Sequence, residues 1–77
     1  MEKNKFAAIL PVIVSGLVNK IINEKHIGDT EALDKLYYSE LYSFLEKEKT
    51  KVWNYSVPKL YELWENEIKT GKLELPN

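Results

Sequence analysis

The sequence predicts an all-α fold, a small four-helix orthogonal bundle in which an apolar N-terminal helix is central. Three observations carry that prediction. Apolar residues recur at helical spacing in separate stretches. Ser39, Ser56 and Gly71 stand where helix caps are required. The chain has 77 residues, 44% hydrophobic and 12% aromatic, which is enough for one core, too rich for a disordered chain and too short for a second domain. The predicted helices cover approximately residues 4–25, 29–38, 40–48 and 57–70 of a single domain, 1–77.

In the first helix Phe6, Leu10, Ile13, Leu17 and Ile21 mark one face, and Ile9, Val14, Val18 and Ile22 add an adjacent stripe. The apolar arc is wider than one partner helix needs, so burial on more than one side is expected. Pro11 lacks a backbone donor, and it predicts either a kink or a short leading turn before the main helix. The uninterrupted apolar run from Phe6 to Val18 is short of the roughly 20 residues that a membrane-crossing helix needs. A leader peptide is disfavoured because Ile21 and Ile22 continue the pattern beyond any cleavage point. No membrane association and a cytoplasmic location are the expectations.

The second helix starts near residue 29. Gly28 is one N-cap candidate, with Ile27 able to pack on Ala32, and Asp29 is the other. Ala32, Leu33, Leu36 and Tyr37 form its apolar face, while Asp29 and Glu31 suit the positive end of the helix dipole. Ser39 caps a third helix through Leu41, Tyr42, Phe44 and Leu45, with a single helix from 29 to about 49 as the alternative. The run EKEKTK, Glu46–Lys51, reads as a solvated helix end or loop. Val52–Tyr55 reads as a brief extended connection. Ser56 then caps the last helix, with Pro58 in its first turn. Leu60, Tyr61, Leu63, Trp64 and Ile68 are its expected buried face, and Gly71 its stop. Leu73 and Leu75 alternate in a tail that is expected to pack as an extended strap ending at Pro76.

Composition removes most chemistry. There is no Cys, and His26 is the only imidazole, so disulfide frameworks, thiolate nucleophiles and His/Cys zinc sites are excluded. No triad or nucleophile-elbow context surrounds Ser15, Ser39, Ser43 or Ser56, and Gly16, Gly28 and Gly71 are isolated rather than gathered in a phosphate loop. The acid pairs Glu46/Glu48 and Glu62/Glu65 lie in lysine-mixed helix surfaces, where Glu65 is spaced for an ion pair with Lys69. No catalytic, cofactor-binding or metal-binding residue is predicted. His26, at the end of the first helix, is expected to act locally. Trp53, Tyr55, Tyr61 and Trp64 are expected to be core, with their polar tips near the edge of the fold or in an interface.

The stretch EALDKLYYSELYSFLEKEKTKVW followed by LYELWENEIKTGKLELP resembles small, uncharacterised helical proteins of Gram-positive bacteria. The shared features are Pro11 within an apolar first helix, Glu31–Leu33, Leu36–Ser39, Thr50–Trp53 and the closing Glu67–Gly71. The resemblance brings no established activity with it. That some of these relatives lie near toxin-like genes implies a binding or antitoxin-like role.

The expected function is therefore a non-enzymatic protein-protein interaction module, with a homodimer as the closed solution for any apolar patch that three short helices leave uncovered. The candidate partner-binding residues are Asp29, Asp34, Glu40, Trp53 and Tyr55. The second reading is a helix-turn-helix-like DNA-binding regulator using the helix after Ser39. Charge weighs against it. The net charge is -1 overall, but residues 28–48 carry six acids against two lysines, and phosphate contacts supply most non-specific DNA affinity. The expected result is no retardation of duplex DNA in a gel-shift assay at low salt, whereas a complex that dissolves steeply with added salt would restore the DNA-binding reading.

Overall fold

The computed structural model describes residues 2–75 and is all-α. Its four helices are α1 (Glu2–Lys25), α2 (Asp29–Tyr37), α3 (Glu40–Leu45) and α4 (Val57–Thr70). The apolar N-terminal helix contacts α2 and α4, and α3 packs on α2 and α4. The core joins Ile13, Leu17, Val18 and Ile21 of α1 to Ala32, Leu36, Leu41 and Leu45 from α2 and α3. Leu60, Leu63 and Trp64 of α4 complete it with Val52.

Both apolar stripes of α1 are used, but unevenly. Ile13, Leu17, Val18 and Ile21 are buried, whereas Phe6, Ile9, Leu10, Val14 and Ile22 are half-buried and Val12 is 70% exposed. The helix runs through Pro11 without a break. Pro11 and Ala7 are both exposed, so the Ala7 carbonyl that loses its helical donor can be met by water at little cost. At Gly16 a Cβ would lie 3.2 Å from Val57 Cγ2, so this glycine permits the close approach of α1 to the start of α4. His26 ends α1 in the left-handed region at φ 58°, its N–H donating to the Ile22 carbonyl at 2.8 Å. That conformation is unfavourable for a residue with a side chain.

Gly28 is the N-cap of α2, in extended geometry and without a side-chain bond. Asp29 is thus the first helical residue. The chain breaks into two helices at Ser39, whose Oγ accepts from Tyr42 N–H at 3.1 Å and donates to the Leu36 carbonyl at 2.5 Å. This hydroxyl serves the end of α2 and the start of α3 together. A second cap comes from α4: Glu67 accepts from the backbone N–H of Glu40 at 2.7 Å and of Leu41 at 3.1 Å. Glu40 in turn accepts from Leu73 N–H at 3.1 Å. The strap is thereby fixed as far as Leu75, with Leu73 and Leu75 packed on the core. Pro76 lies outside the described residues.

Four expectations are corrected. α3 ends at Leu45, not residue 48, because the chain tightens there into i→i+3 bonds, Lys47 N–H to the Phe44 carbonyl and Thr50 N–H to the Lys47 carbonyl, both at 3.1 Å, with the Thr50 hydroxyl 2.6 Å from the first carbonyl and 2.8 Å from the second. Val52–Asn54 is a 3₁₀ turn rather than an extended segment, entered through Lys51 at φ 61° after a first 3₁₀ turn at Glu48–Thr50. Tyr37 and Ile68, expected on buried faces, are 48% and 52% exposed, since α2 and α4 each meet the core along a narrower stripe. Glu65 bonds Lys25 of α1 and accepts from Tyr61 Oη at 2.8 Å; Lys69 acts on it only as a more distant charge. Lys20 lies 5.1 Å from the Tyr61 ring centroid, so the α1–α4 seam is closed by a charged cluster around one tyrosine. Ser56 and Gly71 cap α4 as expected, Gly71 at φ 80°.

Loss of the Glu67 cap has a predictable cost. Glu67→Ala should lower unfolding stability by about 1–2 kcal/mol, the range for a helix cap whose carboxylate meets one exposed and one partly buried backbone donor, and Glu67→Gln by less. Urea unfolding measures it, and wild-type stability in Glu67→Ala would contradict the assignment.

The Glu65 cluster predicts the pH response. Hydrogen bonds from Lys25 and then Tyr61 hold the Glu65 carboxyl below its ordinary 4.5. Its contribution is complete above that unfolded value and is lost as pH falls through the lower folded one. Burial, and then the bond to Glu65, pushes Tyr61 from 10.0 up to about 12. The tyrosine contribution is complete below pH 10 and is lost as pH rises toward about 12. Glu65→Gln should therefore flatten both limbs of a stability-against-pH curve; unchanged limbs would show that the cluster is energetically idle.

Candidate functional site

An open groove of about 520 Å³ runs along α1 where α2 and α3 leave it uncovered. Its α1 wall is Leu10, Pro11, Val14, Val18 and Ile22, with Ser15 and Asn19 at the outer edge. From Phe6 to Asn19 this helix carries no ionisable residue. Ala7, Ala8, Pro11, Val12, Ser15 and Asn19 are nonetheless exposed. A solvated helix face normally carries charge, so the exposed arc of α1 is the most anomalous surface of the fold.

The opposite wall is Asp29, Leu33 and Tyr37 of α2, successive positions four residues apart on one helical face, with Tyr42 of α3 beyond them. The Tyr37 and Tyr42 rings are tilted at 4.7 Å between centroids. Burial raises the Tyr42 pKa, as do the neighbouring Tyr37 and Glu46, so its hydroxyl stays protonated at neutral pH; Glu46 follows one helical turn beyond Tyr42, its N–H donating to the Tyr42 carbonyl at 3.0 Å. Asp29 stands at the other end beside Ile22. No lysine lines the groove among the described residues.

The sequence-predicted residues divide. Asp29 is in the groove. Asp34 is exposed on α2, and Glu40 is exposed while holding the strap through Leu73. Trp53 and Tyr55 are half-buried, pack on the core and do not line the groove. Trp53 donates from Nε1 to the Glu48 carbonyl at 3.0 Å and meets the Phe6 ring edge-on at 5.3 Å, which pins the loop after α3 to the N-terminal half of α1. Sequence reasoning missed Leu33, Tyr37 and Tyr42 as groove residues. The signal that could have found them is the uncharged stretch 6–19 facing an apolar position on α2.

Other sites are less developed. A smaller pocket of about 300 Å³ is lined by Lys25, Ile27, Lys35, Trp64 and Ile68. Trp64 is fully buried and its indole Nε1 has no acceptor among the described residues. No group of three or more His, Asp or Glu side chains is placed to hold a metal ion among the described residues. The segment Lys5–Lys25, taken as a helix rather than as an uninterrupted run, is long and apolar enough to cross a membrane by length and composition; its most apolar 18-residue window has a mean hydropathy of 1.7 and is 22% buried. A core helix and a leader meet the same criterion. No family model, curated protein or solved structure matches the chain.

Proposed function

We propose that this chain is a non-enzymatic protein-interaction module that docks a partner along the α1–α2 groove. The observation that carries the reading is the exposed, charge-free arc of α1 opening on Leu33, Tyr37 and Tyr42. Recognition grooves for helices are built this way: a largely preformed apolar trough with a few polar groups that set orientation. Rigid backing favours this use, because α1 is anchored from beneath by Leu17 and Ile21 and along its α4 side by the Glu65 cluster. A regulatory or antitoxin-like role fits a small adaptor of this kind. DNA binding through α3 is less favoured, since that helix is six residues long and sits in the acidic part of the chain.

Ser15 is exposed and lines the groove, so a bulky neutral side chain there fills it without touching the core. Ser15→Trp should leave helical content and the thermal midpoint near wild type while abolishing retention of the protein partner that the wild-type chain captures from its native host. Equal retention by both chains would contradict the proposal.

A further inference from the structure

We propose that the groove receives a cationic amphipathic helix of a partner protein, three to four turns long, with a lysine or arginine at each end of its apolar stripe. This rests on the groove being the docking surface and adds the chemistry of the occupant.

Length comes first. The α1 wall extends from Leu10 to Ile22, about 18 Å at 1.5 Å per residue, which matches three to four turns of a docked helix. Leu10, Val14 and Val18 succeed one another at four-residue intervals, with Leu33 opposite. That spacing suits apolar anchors at i, i+3 or i+4, and i+7.

Charge then selects the occupant. One end of the groove holds the Asp29 carboxylate. At the other, Glu46 follows Tyr42 by one helical turn, its N–H donating to the Tyr42 carbonyl at 3.0 Å. The Tyr37 and Tyr42 rings there offer faces on which a guanidinium or ammonium can rest. No lysine lines the groove among the described residues, so Asp29 is offset only by the positive end of the α2 dipole, and the segment 28–48 to which Asp29 and Glu46 belong has a net charge of -4. A basic residue at each end of the incoming helix supplies the missing complement.

The same arrangement disfavours the other occupants. Two copies paired antiparallel across a two-fold axis would set Asp29 of one against the Glu46 end of the other, and a parallel pairing would set Asp29 against its own counterpart. Carboxylate would face carboxylate in both. An anionic membrane surface or a nucleic acid would meet the same acidic rim.

The test is a display library of helical peptides with a fixed leucine stripe and randomised flanks, selected on the intact native chain and counter-selected on Ser15→Trp. Asn19→Trp, one turn further along, replaces it if circular dichroism shows Ser15→Trp unfolded. Binders that the blocked variant loses should favour Lys and Arg over Asp and Glu at the flanks, and Asp29→Asn combined with Glu46→Gln should weaken them about tenfold, the scale of two partly exposed charge pairs. Blocked-variant-sensitive binders with no basic preference would overturn the cationic claim and leave the groove reading intact. Failure to recover any such binder would overturn both. A dimer in sedimentation that Ser15→Trp dissociates would assign the groove to a second copy and overturn the proposal, as would binding to phosphatidylcholine vesicles that the same variant abolishes while no peptide is selected.

Discussion

The structure depends on a mismatch of length. α1 has 24 residues and is about 36 Å long at 1.5 Å per residue, and the longest dimension of the molecule is 38 Å. The helices available to cover it have 9, 6 and 14 residues, so none exceeds about 21 Å. Hydrophobic burial therefore concentrates where α2 and α4 meet α1, around Leu17 and Ile21, and fades toward the N-terminal half, where Trp53 and Phe6 make a single aromatic contact. What is left over is the exposed arc from Ala7 to Asn19. Three short helices can make a core with α1, but they cannot surround it.

Polar contacts decide how the short helices stay in place. A six-residue helix has too few internal hydrogen bonds to persist alone. Here α3 is held from both sides, by Ser39 within the chain and by Glu67 from α4. Glu40 extends that connection to the strap. On the far side of α4, Glu65 ties Tyr61 to Lys25 and so fixes α4 against α1. Two carboxylates on one helix, Glu65 and Glu67, thus position the elements that border the groove, while Asp29 at its end is left free to meet a partner.

Much of the fold was legible because its signals are local. Ser39, Ser56, Gly28 and Gly71 act on backbone groups within a turn of themselves, and the 3.6-residue period of α1 is unambiguous. The errors lie where distant groups compete. The tightened turn after Leu45, where the Thr50 hydroxyl reaches back to the Phe44 carbonyl, follows no helical period. Glu65 was spaced for Lys69, yet the closer cation comes from α1. Glu67 offered no sign that its carboxylate would cap a helix 27 residues away. The groove was half legible. Asp29 was identified from charge, and excess apolar surface on α1 was expected, but which arc stays open depends on how narrow the stripes of α2 and α3 become after packing. Of the two partner-binding candidates after the charged run, Trp53 fastens that run through the Glu48 carbonyl and Tyr55 packs on the core.

The central claim is that the outward arc of α1 is open to solvent in the free chain and is not already covered. The absence of cysteine permits a direct measurement: maleimide labelling of the single-cysteine variants Val12→Cys and Ser15→Cys in the purified protein, with Ala32→Cys as the buried reference. The account predicts that positions 12 and 15 label at the rate of an unstructured peptide while position 32 reacts only on unfolding. Protection of positions 12 and 15 comparable to that of position 32 would contradict it.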